Sequence, residues 1–279
     1  MFQIKTETKR RPMNKIAVCI VAIIGLFIGA CDSKILDADD LEMAKSAYLD
    51  RNMPLCERLA ERYLREERDP EKRWEAWNLL IKAINHNSPQ PRATLECLDV
   101  MLVEYENDEE REAEILPLIG KFNVDLRHYD TASKAWSVYI DLGDLSDAQR
   151  INGYRQLAAS QFGQRHFAAG EETLNQCLGL PAPEHEKIYC MLDLADVNAT
   201  QERWEDVADL CQQILDAEPD EGVRGRACYM RGDALEQLGD YKAALAQFAE
   251  AMKYYPNPAV IENRITYLNT IIKNNKENK

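Results

Sequence analysis

Eight cysteines and four histidines are the residues of this 279-residue chain best suited to do chemistry. Metal binding and thiol redox chemistry both need such residues close together, since zinc takes about four ligands and a redox pair sits within one helical turn. Here they are dispersed. His86, His128, His166 and His185 lie far apart, and the chain has no CxxC, no HExxH, no glycine-rich phosphate loop and no nucleophile elbow. No catalytic residue, metal site or cofactor is expected, and the chain does not read as an enzyme. One thiol has distinctive neighbours. Cys31 follows Ile28-Gly29-Ala30, which end an apolar run from Ile16 to Ala30.

That run follows a basic start made by Lys5, Lys9, Arg10, Arg11 and Lys15. It is shorter than the ~20 residues that span a bilayer, so residues 1–30 read as a cleavable targeting segment. Small residues before a cysteine resemble the lipobox of bacterial lipoproteins. The resemblance implies cleavage before Cys31, a diacylglycerol on its thiol and an acyl chain on its new amine. More than one chain anchors stably where a single chain gives marginal binding. Residues 31–40 then form the lipidated cysteine and a short tether. Asp32 resembles the inner-membrane retention signal of enterobacterial lipoproteins, with the outer membrane as the alternative. Met13-Asn14-Lys15 also makes an adequate start, so Met13 is a second candidate for the first residue.

The elements that carry the remaining residues show a repeat. Tyr129, Phe167, Trp204 and Tyr241 each stand nine residues after a small residue and three before another. The same frame gives six sets: Ala44, Cys56, Ala60 and Tyr63; Ile81, Ala93, Cys97 and Val100; Gly120, Ala132, Trp136 and Tyr139; Ala158, Gly170, Leu174 and Cys177; Ala195, Val207, Cys211 and Ile214; Gly232, Ala244, Phe248 and Ala251. The first members recur every 37 to 39 residues, and strand-like alternation is almost absent. Each set reads as a pair of helices crossing closely at its small residues. Gly239-Asp240 reads as a turn and helix start, with Asp240 accepting from free amides. His128 and His166 occupy the equivalent turns and read as capping residues. The run Asn107-Asp108-Glu109-Glu110 reads as a solvated helix start, where negative charge is favourable.

The unit ending at Pro256 resembles the tetratricopeptide repeat family, with Gly232, Ala244, Phe248, Ala251 and Pro256 at the family's frame positions. Cys228 and Arg231 depart from its usual large apolar residues, and the extra spacing is assigned to loops at 146–147, 181–183 and 219–222. The resemblance implies an all-α, TPR-like α-solenoid, a right-handed superhelix of about six helix-turn-helix units over residues 41–256. Residues 257–279 read as a capping helix and polar tail. In that helix Ile261, Ile265, Leu268 and Ile272 form one apolar stripe, and Glu262, Arg264, Asn269 and Lys273 face out. The cysteines Cys56, Cys97, Cys177, Cys190, Cys211 and Cys228 are expected to be small buried thiols. Repeat geometry would place Cys177 near Cys190 and Cys211 near Cys228, where an oxidising compartment permits disulfides.

The resemblance also implies a groove lined by the first helix of each unit. That face maps to Glu75, Asn78, Lys82 and Asn85; Lys121; Asn152, Arg155 and Phe162; Tyr189, Leu192 and Asp196; Arg226, Tyr229, Asp233 and Glu236. The candidate partner-binding residues are Asn78, Lys82, Arg155, Phe162, Tyr189, Arg226, Tyr229 and Asp233, with Cys31 as the lipidation site. The chain carries −14, and removing the net +4 of residues 1–30 leaves −18 on the rest. Such a surface repels nucleic acid and anionic headgroups. The expected partners are therefore a protein or peptide and, through the N-terminal lipid, a membrane. The expected function is a periplasmic-side, membrane-anchored scaffold that recruits or assembles envelope proteins. The alternatives are an accessory subunit of a periplasmic enzyme or of a secretion or pilus system, and, from a further class, an enzyme.

Overall fold

The computed structural model describes residues 39–277, all of whose regular structure is helical. Cys31 and the whole targeting segment lie outside the described residues. Six helix pairs succeed one another: α1 (Asp39–Leu49) with α2 (Met53–Glu66), α3 (Pro70–Ile84) with α4 (Pro91–Glu104), α5 (Glu109–Asp125) with α6 (Tyr129–Ile140), α7 (Asp147–Gly163) with α8 (Phe167–Leu178), α9 (Glu184–Thr200) with α10 (Trp204–Asp216), and α11 (Glu221–Gln237) with α12 (Tyr241–Ala251). A last helix, α13 (Pro258–Glu277), follows. Contacts run between consecutive helices and between the first helices of adjacent pairs, the pattern of an α-solenoid.

Five of the six pairs turn through three residues, and the turns are copies of one motif. The middle residues Arg51, Arg127, Arg165, Glu202 and Gly239 all have positive φ, from 57° to 82°. In each turn the middle amide donates to a carbonyl three residues back, and the next amide donates to one five residues back, as His128 N does to Asn123 O at 2.7 Å. This is a Schellman closure, which satisfies carbonyls that a helix end leaves open. Only Gly239 reaches that conformation without steric cost. The residue after it starts the second helix. Asn52 and Asp240 accept from Leu55 N and Ala243 N, at 3.3 and 3.1 Å. His128 and His166 hold the equivalent positions but make no side-chain cap, a correction to the capping role expected of them.

A second recurring device joins one pair to the next. Arg73, Arg150 and Lys187 each stand three residues into a first helix and donate to carbonyls at the end of the preceding second helix. Arg73 reaches Leu64 O and Glu67 O, Arg150 reaches Ile140 O and Leu142 O, and Lys187 reaches Leu178 O. Cations there satisfy open carbonyls and oppose the negative end of the helix dipole.

The frame residues are buried in five of the six units. Gly120 lies under the Trp136 ring and Gly232 under Phe248, whose ring atoms begin 2.9 Å from where a Cβ would stand. The second unit departs from the expected register. Ile81, Ala93 and Cys97 are half-buried and Val100 is exposed, while Leu80, Thr94, Leu98 and Met101 fill the core. The cause is the six-residue link 85–90 between α3 and α4, which carries the helices past the three-residue spacing. Asn85 organises it by donating to Ile81 O and Thr94 Oγ1 at 2.8 Å and accepting from Gln90 N at 2.8 Å.

Cys177 and Cys190 form a disulfide from α8 to α9, with Cα atoms 6.4 Å apart. This corrects the expectation of free thiols at that pair: both residues are fully buried at the same seam between units. Cys211 and Cys228 are free and buried, and burial pushes the Cys211 thiol up to about 12. On α13, Ile261 and Leu268 are buried with Phe248 and Cys228, and Ile265 packs beside them. Arg264, expected to face out, is half-buried over the Phe248 ring.

Candidate functional site

The first helices share one face, and charged side chains tie them across it. Lys45 of α1 meets Glu75 of α3 at 2.7 Å. Arg155 of α7 holds Asp193 of α9 with two contacts, Nε to Oδ2 at 2.5 Å and Nη2 to Oδ1 at 3.2 Å. Arg226 of α11 reaches Asp196 of α9, and Arg264 of α13 reaches Asp233 of α11, with Glu236 at 3.1 Å. Exposed or half-exposed pairs of this kind contribute about 0–1 kcal/mol each. Their larger effect is to fix the side chains that line the face.

Between these ties lie two cavities that meet at Asp196. One, of about 290 Å³, lies between α7 and α9 and is lined by Arg155, Phe162, Leu174, Asp193, Asp196 and Val197 among others. The other, of about 550 Å³, lies between α9 and α11 and is lined by Asp196, Arg226, Tyr229, Met230, Tyr254 and Tyr255 among others. Tyr229 stacks on Tyr255 with centroids 4.8 Å apart, and Arg155 lies 5.0 Å over the Tyr189 ring. Gly225 permits the close seat of the 254–255 backbone on α11, since a Cβ there would stand 2.9 Å from Tyr254 C. Burial raises the Asp196 carboxyl above its ordinary value, against the pull of Arg226. Burial likewise raises Glu236.

The structure brings Arg155, Phe162, Tyr189, Arg226, Tyr229 and Asp233 onto this trough from α7 to α13. Asn78 and Lys82 stand on α3, away from it. Asn78 is half-buried and donates to Trp74 O of its own helix at 3.0 Å, and Lys82 is exposed. Leu192, assigned to the groove by sequence, is buried at the seam with α10 and α11. Among the trough residues that escaped the sequence reading are Asp193, Met230, Tyr254 and Tyr255. A usable signal existed for Asp193, which stands one helical turn after Tyr189 on the same face. Among the described residues no cluster of three His, Cys, Asp or Glu side chains is placed to hold a metal ion.

A stacked array of helical pairs with a lined first-helix face is a tetratricopeptide-like α-solenoid. Residues 225–258 match the tetratricopeptide repeat family. The apo form of RapI shares the fold with a TM-score of 0.59 at 10% identity, over 85% of this chain and 71% of that one. Aspartyl phosphate phosphatase F from Bacillus subtilis aligns with a TM-score of 0.47 at 15% identity, over 81% and 66%. A tetratricopeptide repeat protein from Parabacteroides merdae aligns with a TM-score of 0.42 at 14% identity, over 82% and 97%. No curated protein sequence matches the chain.

Proposed function

We propose that the chain is a membrane-anchored scaffold on the periplasmic side of the cell envelope, which recruits or assembles other envelope proteins through the first-helix trough. The observation that carries this reading is the trough itself, two cavities meeting at Asp196 and lined by aromatic and charged side chains. Concave faces of stacked helical pairs present extended binding surfaces, and tyrosine and arginine are the side chains that most often anchor a partner. The Gly29-Ala30-Cys31 sequence after an apolar run supports the lipid anchor. The Cys177–Cys190 disulfide fits an oxidising compartment. Among the described residues no helix is long and apolar enough to cross a membrane. A lipid confines the scaffold to a surface and raises the effective concentration of partners there.

The test is in-cell photocrosslinking from trough positions Tyr189 and Tyr254 and from the exposed second-helix positions Lys134 and Glu172, in the wild-type chain and in Cys31→Ala. The expected result is discrete adducts from the trough pair alone, which change when Cys31→Ala releases the protein from the membrane. Equal adducts from both pairs overturn the trough reading. A mature N-terminus without acyl groups, read by mass, overturns the anchor.

A further inference from the structure

The trough holds a guanidinium in the same manner twice, and a third place has the same chemistry with part of it unused. Arg155 lies over the Tyr189 ring while pairing with both oxygens of Asp193. Arg264 lies 5.7 Å over the Phe248 ring while pairing with Asp233. Each site combines an aromatic face with a carboxylate, the combination that holds a cation best where it is partly desolvated. At the tie between these two the parts are arranged differently. Arg226 touches Asp196 through Oδ2 alone, so Oδ1 has no side-chain donor among the described residues. Tyr229 and Tyr255 stack on each other, and among the described residues no cation lies over either ring. The 550 Å³ cavity opens between these rings and Asp196.

We propose that this cavity receives an arginine or lysine side chain from a partner peptide, laid over the Tyr229–Tyr255 pair with its charge on Asp196 Oδ1. The inference rests on the trough being a protein-binding face and adds the chemistry of the partner: a basic segment with a neighbouring apolar residue. One further observation favours a cation over an anion. The chain carries −14, so its field draws in basic segments and repels acidic ones. The Arg226–Asp196 pair is about half exposed on both sides, 45% and 48%, which leaves Asp196 within reach of a partner's side chain. Met230 and Pro256 line the same cavity and supply apolar contact for the partner's neighbouring side chain.

The probe is a random twelve-residue peptide library displayed on phage and selected on the purified chain. The selected peptides are then synthesised and titrated by fluorescence anisotropy against wild type, Asp196→Asn and Tyr255→Leu. Leucine keeps apolar bulk at 255 while removing the ring face, and circular dichroism confirms that both variants fold. The expected result is enrichment of arginine and lysine, a tenfold or greater loss of affinity in each variant, and weakening with added salt. Selected peptides without basic enrichment, whose binding is still lost in Tyr255→Leu, overturn the cation proposal and leave the trough as a binding face. Basic peptides that bind Asp196→Asn as tightly as wild type also overturn it. A selection that yields no trough-dependent peptide overturns the trough reading together with this one.

Discussion

Removal of the Cys177–Cys190 bridge is expected to destabilise the middle of the solenoid by about 3 kcal/mol. The bond closes a loop of sequence separation 13. In the chain-entropy account a loop of that size restricts the unfolded ensemble by about 3 kcal/mol at 25 °C. Both cysteines are fully buried, so a Cys177→Ala, Cys190→Ala double variant keeps the seam apolar and leaves the loss of the bond as the main change. With a urea m-value of about 2–3 kcal/mol/M, the midpoint falls by about 1 M or more. The assay is urea unfolding followed by helical circular dichroism, on the wild-type chain with and without reductant and on the double variant. Hydrogen exchange at α8 and α9 locates the loss, because a stacked array loses stability first where the neighbour coupling is cut. Alkylation after denaturation supplies the chemical check: of the six cysteines among the described residues, four react before reduction and all six after it. Equal midpoints for oxidised, reduced and double-variant protein would refute the reasoning, as would six reactive thiols before reduction.

Gly120→Ala places a methyl into the Trp136 ring; overpacking of about 1–3 kcal/mol outweighs the helix propensity gained, about 1 kcal/mol, so the melting temperature falls. Arg150→Met keeps the apolar stem but leaves Ile140 O and Leu142 O without their donor, at a cost of about 1–3 kcal/mol in urea unfolding. Glu67 accepts from the amides of Asp69 and Arg68 and from the Tyr63 hydroxyl, which hold its carboxyl down at about 2 against an ordinary 4.5. Because its folded value is depressed, the stability it contributes is present above pH 4.5 and is lost as pH falls toward 2. An NMR titration of the Glu67 carboxyl with a midpoint near 4.5 would count against this, and Glu67→Gln should flatten the acid limb of stability between those values.

The helical frame was legible because it is written in side-chain size. Gly120 with Trp136 and Gly232 with Phe248 each pair a small residue with a large ring sixteen positions later, and only a repeated close crossing explains that spacing. The turn between paired helices was legible at Gly239 alone. Arg51, Arg127, Arg165 and Glu202 adopt the same left-handed conformation, but nothing in an arginine or glutamate announces it. The second unit was misread because the link 85–90 has no fixed length rule, and a register argument carries any insertion forward as an error. For the candidate site, helical periodicity was enough to put Arg155, Tyr189, Arg226 and Tyr229 on one face. It could not pair them, since an ion pair between helices depends on the offset of one helix against the next. Asp193 was missed although periodicity places it one turn after Tyr189 on that face, because its role shows only in its pairing with Arg155. Tyr254 and Tyr255 were missed because they belong to a link between units, where periodicity gives no direction.

The pairing changes what the trough is physically. A face of free arginines and tyrosines would have to order each long side chain when a partner arrives, at about 0.5–1.5 kcal/mol for every one immobilised. Here Arg155 is held by two oxygens of Asp193 and by the Tyr189 ring, and Arg264 by Asp233, Glu236 and the Phe248 ring. That ordering is already complete in the folded chain, so a partner meets a preformed surface and needs to displace little. It also localises adaptability. Arg226 and Asp196 share one contact and are half exposed, and they sit where the two cavities meet. The easiest rearrangement of the trough is therefore at Asp196, between two stiff ties. A surface that is rigid on both sides of one exchangeable charge discriminates by what it lets into that position, more than by the area it buries.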